Sequence, residues 1–332
     1  MRVLQIANYK EGVGGISVQV KLLKDKLRIE GFECDILSTK GSAWQRLCSI
    51  TRLLRIGKEY DAFHVHACSG RGFFPAVIGI TVGRWLHKRI VLTYHGGGAE
   101  EFFSKHPRMV RHYLSKTYAN IALSGFIGKV FDRYGLKYTV IPNIVEMEDR
   151  NSRVRKTIMP HLISIRTLAE TYNIECTLKS FALVKQEFPE ATLILAGDGP
   201  LRHQLEDFVR DNSIRDVTFV GQVNNGQIYH YLNQADIMVS SSWTDNMPVS
   251  ILEGFNAGLL VIASNVGGIP YMIEDRKNGL LFNAGDHFEL ANQIKWAINN
   301  QNTCMSMIEN ARQSVNRYSW SEIREKVLVL FQ

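Results

Sequence analysis

Cysteine is sparse and unpatterned in this sequence. Five cysteines, at positions 34, 48, 68, 176 and 304, are scattered over 332 residues without Cys-x-x-Cys spacing. An odd number without paired spacing suits neither a disulfide framework nor a structural zinc site, so free thiols in a reducing compartment are expected. Long apolar runs are also missing. No stretch reaches the ~18 residues of a membrane span, and the richest, Phe73 to Val82, is short and broken by Gly79. The start, Met1-Arg2-Val3-Leu4-Gln5-Ile6-Ala7, lacks a secretory signal's apolar core and reads as a first strand. A cytoplasmic protein is the expectation. There is no low-complexity tract, no short-period repeat and no Asp-x-Asp motif.

What is present is ordinary globular composition with uneven charge. Residues 1–150 hold 23 Lys/Arg against 13 Asp/Glu, a net +10, while residues 151–332 hold 16 against 19, a net −3. The first half therefore suits an anionic partner: a membrane surface, a phosphorylated acceptor or nucleic acid. A solvated basic surface accounts for it equally well. The chain is longer than one core comfortably supports, so two domains are expected.

Periodicity supports that division. Strand-like runs at Arg2–Ala7, Cys34–Ser38, Ala62–His66, Arg89–Thr93, Ile121–Ser124 and Thr139–Pro142 alternate with helical patterns such as Ser17–Glu30 and Phe126–Tyr134. Alternation of this kind implies βαβ units and a parallel sheet. Charged Glu146–Lys156 interrupts it and reads as a linker. The alternation then restarts, with strands at His161–Ile165, Thr192–Ala196, Val217–Val220, Ile237–Ser240, Val261–Ser264 and Leu280–Phe282. The fold class expected is α/β, with two doubly wound sheets whose ligand-binding edges face a shared cleft.

Three segments carry candidate chemistry. Glu11-Gly12-Val13-Gly14-Gly15-Ile16 follows a strand and opens a helix, where glycines let backbone N–H groups approach a phosphate. A plain strand–helix turn is the competing reading, since the full G-x-G-x-x-G spacing is missing. His64 and His66 share one face of the third strand, and His95 leaves the fourth into Gly96-Gly97-Gly98. His95 is the one expected to face a ligand, and nothing in the spacing suggests zinc. The third segment runs from Ser240 to Pro270. Pro248 sits near a helix start and Gly258 just past its end. Asp245 precedes that helix and Glu253 lies within it. The helix start offers free N–H groups to a diphosphate, and a carboxylate further along can accept from two ribose hydroxyls.

This segment resembles the donor-site signature of the GT-B glycosyltransferases, in particular glycosyltransferase family 4, with Asp245 in place of the usual first Glu. Ala196-Gly197-Asp198-Gly199-Pro200, Phe219-Val220-Gly221-Gln222-Val223, Gly267-Gly268-Ile269-Pro270, Asn278-Gly279-Leu280-Leu281 and Tyr318-Ser319-Trp320 are similar to further family segments in the same order. The resemblance implies a GT-B architecture. Residues 1–147 would form an acceptor-binding domain joined by 317–332, whose helix crosses back, and residues 157–316 a nucleotide-sugar domain. It implies that Glu253 bonds the ribose, that Asp245 and the backbone of Asn246, Met247 and Pro248 hold the sugar, and that the amides of Val249, Ser250 and Ile251 face the diphosphate. Gly14 and Gly15 match the phosphate loop, Gly221 the segment lining the base pocket, and His95 the cleft histidine.

The resemblance further implies retaining transfer without a metal or cofactor, with Arg166 neutralising phosphate charge. A UDP-sugar is favoured over a GDP-sugar, and the acceptor would be a glycan or a lipid-linked hydroxyl. No nucleic-acid partner is implied. Two positions depart from the pattern: the Lys that usually follows the Arg is Thr171, and the acid after Gly-Gly-Ile-Pro is Tyr271. A same-fold sugar-nucleotide epimerase and a non-catalytic sugar-nucleotide binder stay open. A nicotinamide-dependent dehydrogenase is disfavoured, because the dinucleotide fingerprint is missing. The basic first half, with Arg84–Arg89 and Phe102–Lys105 interleaving cations and aromatics, adds an expectation of peripheral contact with the inner face of an anionic membrane.

Overall fold

The computed structural model describes residues 1–11, 14–146, 153–223 and 225–332. Gly12 and Val13 of the expected phosphate loop and residues 147–152 of the expected linker lie outside them. The chain divides into two compact units, Met1–Ile144 with Tyr318–Gln332, and Val145–Arg317.

The first unit opens with β1 (Arg2–Ala7), α1 (Gly15–Ile29), β2 (Glu33–Ser38), α2 (Ala43–Ile56), β3 (Ala62–Ala67), α3 (Phe74–Trp85) and β4 (Arg89–Tyr94). It continues with α4 (Ala99–Lys105), α5 (Pro107–Leu114), β5 (Ala119–Ala122), α6 (Gly125–Arg133) and β6 (Thr139–Val140). All pairings are parallel, in the order β2-β1-β3-β4-β5-β6. Parallel strands covered on both faces need continuous apolar sequence, and β3 is accordingly buried throughout. Helix α1 turns Val20, Leu23 and Leu27 inward at helical spacing, and α2 starts on a capping box between Ser42 and Gln45. Strand β5 sits two residues earlier than expected. Tyr118 N–H already donates to Ile90 O at 2.8 Å, and the Asn120 amide ties Leu114 O to Lys137 O, so pairing begins before the apolar run. Strand β6 stops before Pro142, which has no N–H to offer a ladder.

The second unit contains β7 (His161–Ile165), α7 (Ile174–Glu187), β8 (Thr192–Ala196), α8 (Arg202–Asp211), β9 (Val217–Gly221), α9 (Asn225–Leu232) and β10 (Ile237–Ser240). α10 (Val249–Asn256), β11 (Leu260–Ser264), β12 (Leu280–Phe282), α11 (His287–Asn299) and α12 (Gln301–Val315) complete it. Its parallel order is β12-β11-β10-β7-β8-β9. Both sheets reverse direction of growth once, between β1 and β3 in the first and between β7 and β10 in the second. At such switch points the carboxyl ends of open α/β sheets leave a crevice. The expected α/β architecture of two parallel sheets is therefore what the chain adopts.

One segment departs from its sequence reading. Arg155, inside the stretch read as a charged linker, is buried. Its guanidinium donates to Ala257 O at 2.6 Å, Leu232 O at 2.8 Å and Ala235 O at 3.0 Å, and pairs with Asp236 at 3.2 Å. One cation thus satisfies the last carbonyls of α9 and α10, groups that a helix leaves unpaired.

After α12 the chain returns to the first unit as α13 (Trp320–Leu328). Ile323, Val327, Leu328, Leu330 and Phe331 join Val3, Leu23, Leu27 and Ile121 in one buried cluster. Trp320 Nε1 and Arg324 Nε both donate to Glu30 Oε1, at 3.0 and 2.7 Å.

Candidate functional site

At the switch point of the second unit, Arg166 directly follows β7 and Ser240 ends β10. The Arg166 loop is pinned by its backbone. Arg166 N–H donates to Ala196 O at 3.1 Å, Leu168 N–H to Asp198 O at 3.1 Å, and Leu201 N–H returns to Leu168 O at 3.0 Å. This explains the glycines of Ala196-Gly197-Asp198-Gly199-Pro200. A Cβ on Gly197 would meet Arg166 O at 1.9 Å, and one on Gly199 would meet Leu168 O at 2.4 Å. The far side is held by Ser241 Oγ, which donates to Asn173 O at 2.8 Å, and by Trp243 N–H, which donates to Thr171 O at 2.8 Å.

The Arg166 side chain is nearly buried. Its Nη2 donates to Ser240 Oγ at 2.9 Å and lies 3.2 Å from Asp245 Oδ2, and the guanidinium carbon sits 5.3 Å from the centre of the Tyr172 ring. Asp245 was expected to meet sugar hydroxyls. Here its carboxylate faces Arg166 and accepts Asn246 N–H at 2.8 Å. Burial pushes its pKa up, and Arg166 and that N–H pull it back. Gly268 N–H donates to Asp245 O at 3.0 Å, and a Cβ on Gly267 (φ +53°) would strike that same oxygen at 1.9 Å. The Gly-Gly pair is thus the seat of the Asp245 loop.

Asn246, Met247 and Pro248 are buried and lead into α10. Pro248 is the N-cap residue, with φ −65°, and no side chain caps the helix. Ser250 Oγ is buried with no hydrogen-bond partner among the described residues. The Ile251 amide does not point outward as expected: it donates to Pro248 O at 3.1 Å, a tightened first turn. Glu253 shares the half-buried face of α10 with Val249 and Asn256. Burial raises its pKa to about 7, with Arg166 pulling it down. Thr171 is exposed in a short turn and places no cation here. Gly221 (φ +74°) is buried, and its carbonyl accepts Gly197 N–H at 2.9 Å, so it braces the Arg166 loop from below. Arg166, Asp245, the 246–248 backbone, Ser250 and Glu253 are therefore gathered at one sheet edge.

In the first unit, Gly14 (φ +81°) is the N-cap residue of α1 and Gly15 its first residue. His64 and His66 are buried, and His95 is half-buried at the end of β4. Gln5 Nε2 donates to Val20 O at 2.9 Å, which leaves Gln5 Oε1 to accept from His66 Nε2–H at 2.9 Å. His66 Nδ1 then accepts from His95 Nε2–H at 3.0 Å, so this network sets neutral His95 with Nδ1 as its acceptor. Burial holds all three imidazoles neutral, lowering His64 to about 3 and His95 to about 4. Gln5 was missed by the sequence reading, although a lone amide inside Val3-Leu4-Gln5-Ile6-Ala7 signals a buried polar partner. Ser240, the first residue of the third segment, was given no role of its own, its signal being a polar residue where β10 runs out. Among the described residues no group of three or more His, Cys, Asp or Glu is placed to hold a metal ion.

The family described as "Glycosyl transferases group 1" matches residues 146–314. The chain is 24% identical to the alpha-monoglucosyldiacylglycerol synthase of Streptococcus pneumoniae, over 87% of this chain and 76% of that one. It is 26% identical to the sulfoquinovosyl transferase SQD2 of Arabidopsis thaliana, over 46% of this chain and 30% of that one, so the match spans under a third of the plant protein. The crystal structure of Anabaena HepE in complex with UDP superimposes over 100% of this chain and 99% of that one, with a TM-score of 0.78 at 18% identity. Each unit holds one parallel six-stranded sheet, the α/β fold of the GT-B structures it resembles, and with the family match covering half of its length this chain belongs to the group 1 glycosyl transferases.

Proposed function

We propose that the chain transfers a glycosyl group from a nucleoside-diphosphate sugar, UDP-linked in preference to GDP-linked, to a hydroxyl of a glycan or lipid-linked acceptor, with retention at the anomeric carbon. The observation that carries this reading is the nearly buried Arg166, ion-paired with Asp245 four residues before the uncapped start of α10. A cation and a helix N-terminus at a switch point suit a diphosphate. In this reading the diphosphate takes over Arg166 and frees Asp245 for the sugar hydroxyls. Glu253, as a carboxylate, accepts from the ribose. The acceptor hydroxyl attacks on the face that the diphosphate leaves, and a departing phosphate oxygen receives the proton. The protein contributes position and fixed charge. Arg166 and the α10 start carry the phosphate charge in place of a metal. The uridine preference is supported by HepE having been solved with UDP. A lipid acceptor is supported by the pneumococcal relative's name, a diacylglycerol glycoside synthase. The basic first unit is assigned to an anionic membrane surface.

Calorimetry with UDP and GDP sugars tests the donor site. UDP-sugar binds wild type, and Glu253→Ala and Arg166→Ala each weaken it about tenfold or more. Equal binding by Glu253→Ala removes the ribose assignment. Binding without turnover in any acceptor mixture would leave a sugar-nucleotide binder. Where turnover is seen, NMR of the product reads retention, and a chelator leaves the rate unchanged.

A further inference from the structure

The first unit carries an outward face that donor chemistry does not use. Helix α2 buries only Ser49 and Leu53 and turns Trp44, Leu47, Cys48, Thr51, Arg52 and Arg55 to solvent. These positions recur at three- and four-residue spacing, one stripe along the helix. Trp44 is 72% exposed and Leu47 51%, a high exposure for side chains of this size. Charge on the same stretch has one sign. From Ile36 to Lys58 there are five basic residues, Lys40, Arg46, Arg52, Arg55 and Lys58, and no acidic one. Among the described residues Lys40, Arg52 and Arg55 are exposed and form no ion pair. Arg46 leans on the Phe74 ring, 5.5 Å from its centre, and so stays beside the stripe.

We propose that α2 is the membrane-docking element of this chain, lying in the headgroup plane of an anionic bilayer with Trp44 and Leu47 inserted. This rests on the assignment of the basic first unit to a membrane surface. Two exposed apolar side chains on a stretch whose only charges are cations offer too little apolar area for a stable protein interface. They suffice at a bilayer surface, where an indole anchors and each Arg adds attraction to anionic lipid. The location is informative as well. Trp44 and Leu47 lie in the first turns of α2, just past the carboxyl end of β2. Docking there brings the bilayer to the sheet edge at which α/β ligands bind, the edge where a lipid-linked acceptor would present its hydroxyl.

Co-sedimentation with vesicles tests this on the full chain. The vesicles are phosphatidylcholine alone or an equal mixture with phosphatidylglycerol, at low salt and at 0.5 M salt. Wild type is expected to pellet with the mixed vesicles at low salt only. Trp44→Ser/Leu47→Ser and Arg52→Ser/Arg55→Ser should each weaken partitioning about tenfold or more, with UDP-sugar affinity and thermal midpoint unchanged because all four side chains are exposed. If wild type pellets and both variants pellet equally, α2 is not the docking element although the membrane assignment stands. If wild type does not pellet, both fail. If wild type instead forms a dimer that Trp44→Ser/Leu47→Ser dissolves, the face belongs to a second copy and the proposal is overturned.

Discussion

Glu253 is held at a cost by its burial in α10. Its folded pKa is about 7, above the ordinary value of 4.5, because burial disfavours the charge. The stability linked to this group is thus fully present below pH 4.5 and is lost as pH rises through 7. Glu253→Gln should match wild type in thermal midpoint near pH 4.5 and exceed it at pH 8, on the order of 1 kcal/mol. Affinity for UDP should run the other way. It rises in wild type between pH 6 and pH 8, as the carboxylate that accepts ribose hydroxyls forms, and that rise is absent in the variant. Thermal shift with and without UDP reads both. A wild-type affinity flat across this range would detach Glu253 from the ribose. The residue pair that defines the site illustrates how far sequence reaches. Asp245 and Glu253 are legible from spacing, since one loop and one helix carry both. The bond from Arg166 to Asp245 is not, because 79 residues separate the partners and only the strand order β10-β7 brings them together.

Among elements, the strands are the easiest to read, because a parallel strand covered on both faces is apolar along most of its length. Ser42 and Gln45 held the start of α2 in plain view, yet no expectation was drawn there, because its outward face breaks the apolar period. Arg155 was misread for a related reason: charge marks solvent exposure only when no helix end needs a cation. The glycine motifs separate by what surrounds them. Gly267 sits at φ +53°, with Asp245 O where a Cβ would go. Gly267→Ala should displace the Asp245 loop, cost about 2 kcal/mol or more and abolish UDP binding. Gly98, in the Gly96-Gly97-Gly98 run, would place its Cβ no nearer than 3.7 Å to the Ser69 hydroxyl, without positive φ. Gly98→Ala should stay within about 0.5 kcal/mol. Urea unfolding and calorimetry together tell the two apart. An intact donor site in Gly267→Ala would show that the loop does not need its seat.

At the scale of the whole molecule, the first unit is discontinuous in sequence. Phe331 is buried against Phe32 and His64, with ring centres 6.4 and 5.6 Å away. Phe331→Ala should cost about 3–5 kcal/mol. Hydrogen exchange should locate the loss in β1 and β3 and leave β7 and β10 protected, and uniform loss across both sheets would contradict this packing account. The same arrangement constrains how the protein is made. Residues 318–332 leave the ribosome only after the whole of the second unit, whereas the strands they cover emerged near the beginning. During synthesis the first sheet must therefore wait with part of one apolar face, the part that α1 does not cover, still exposed, while the second unit already has every residue it needs to close.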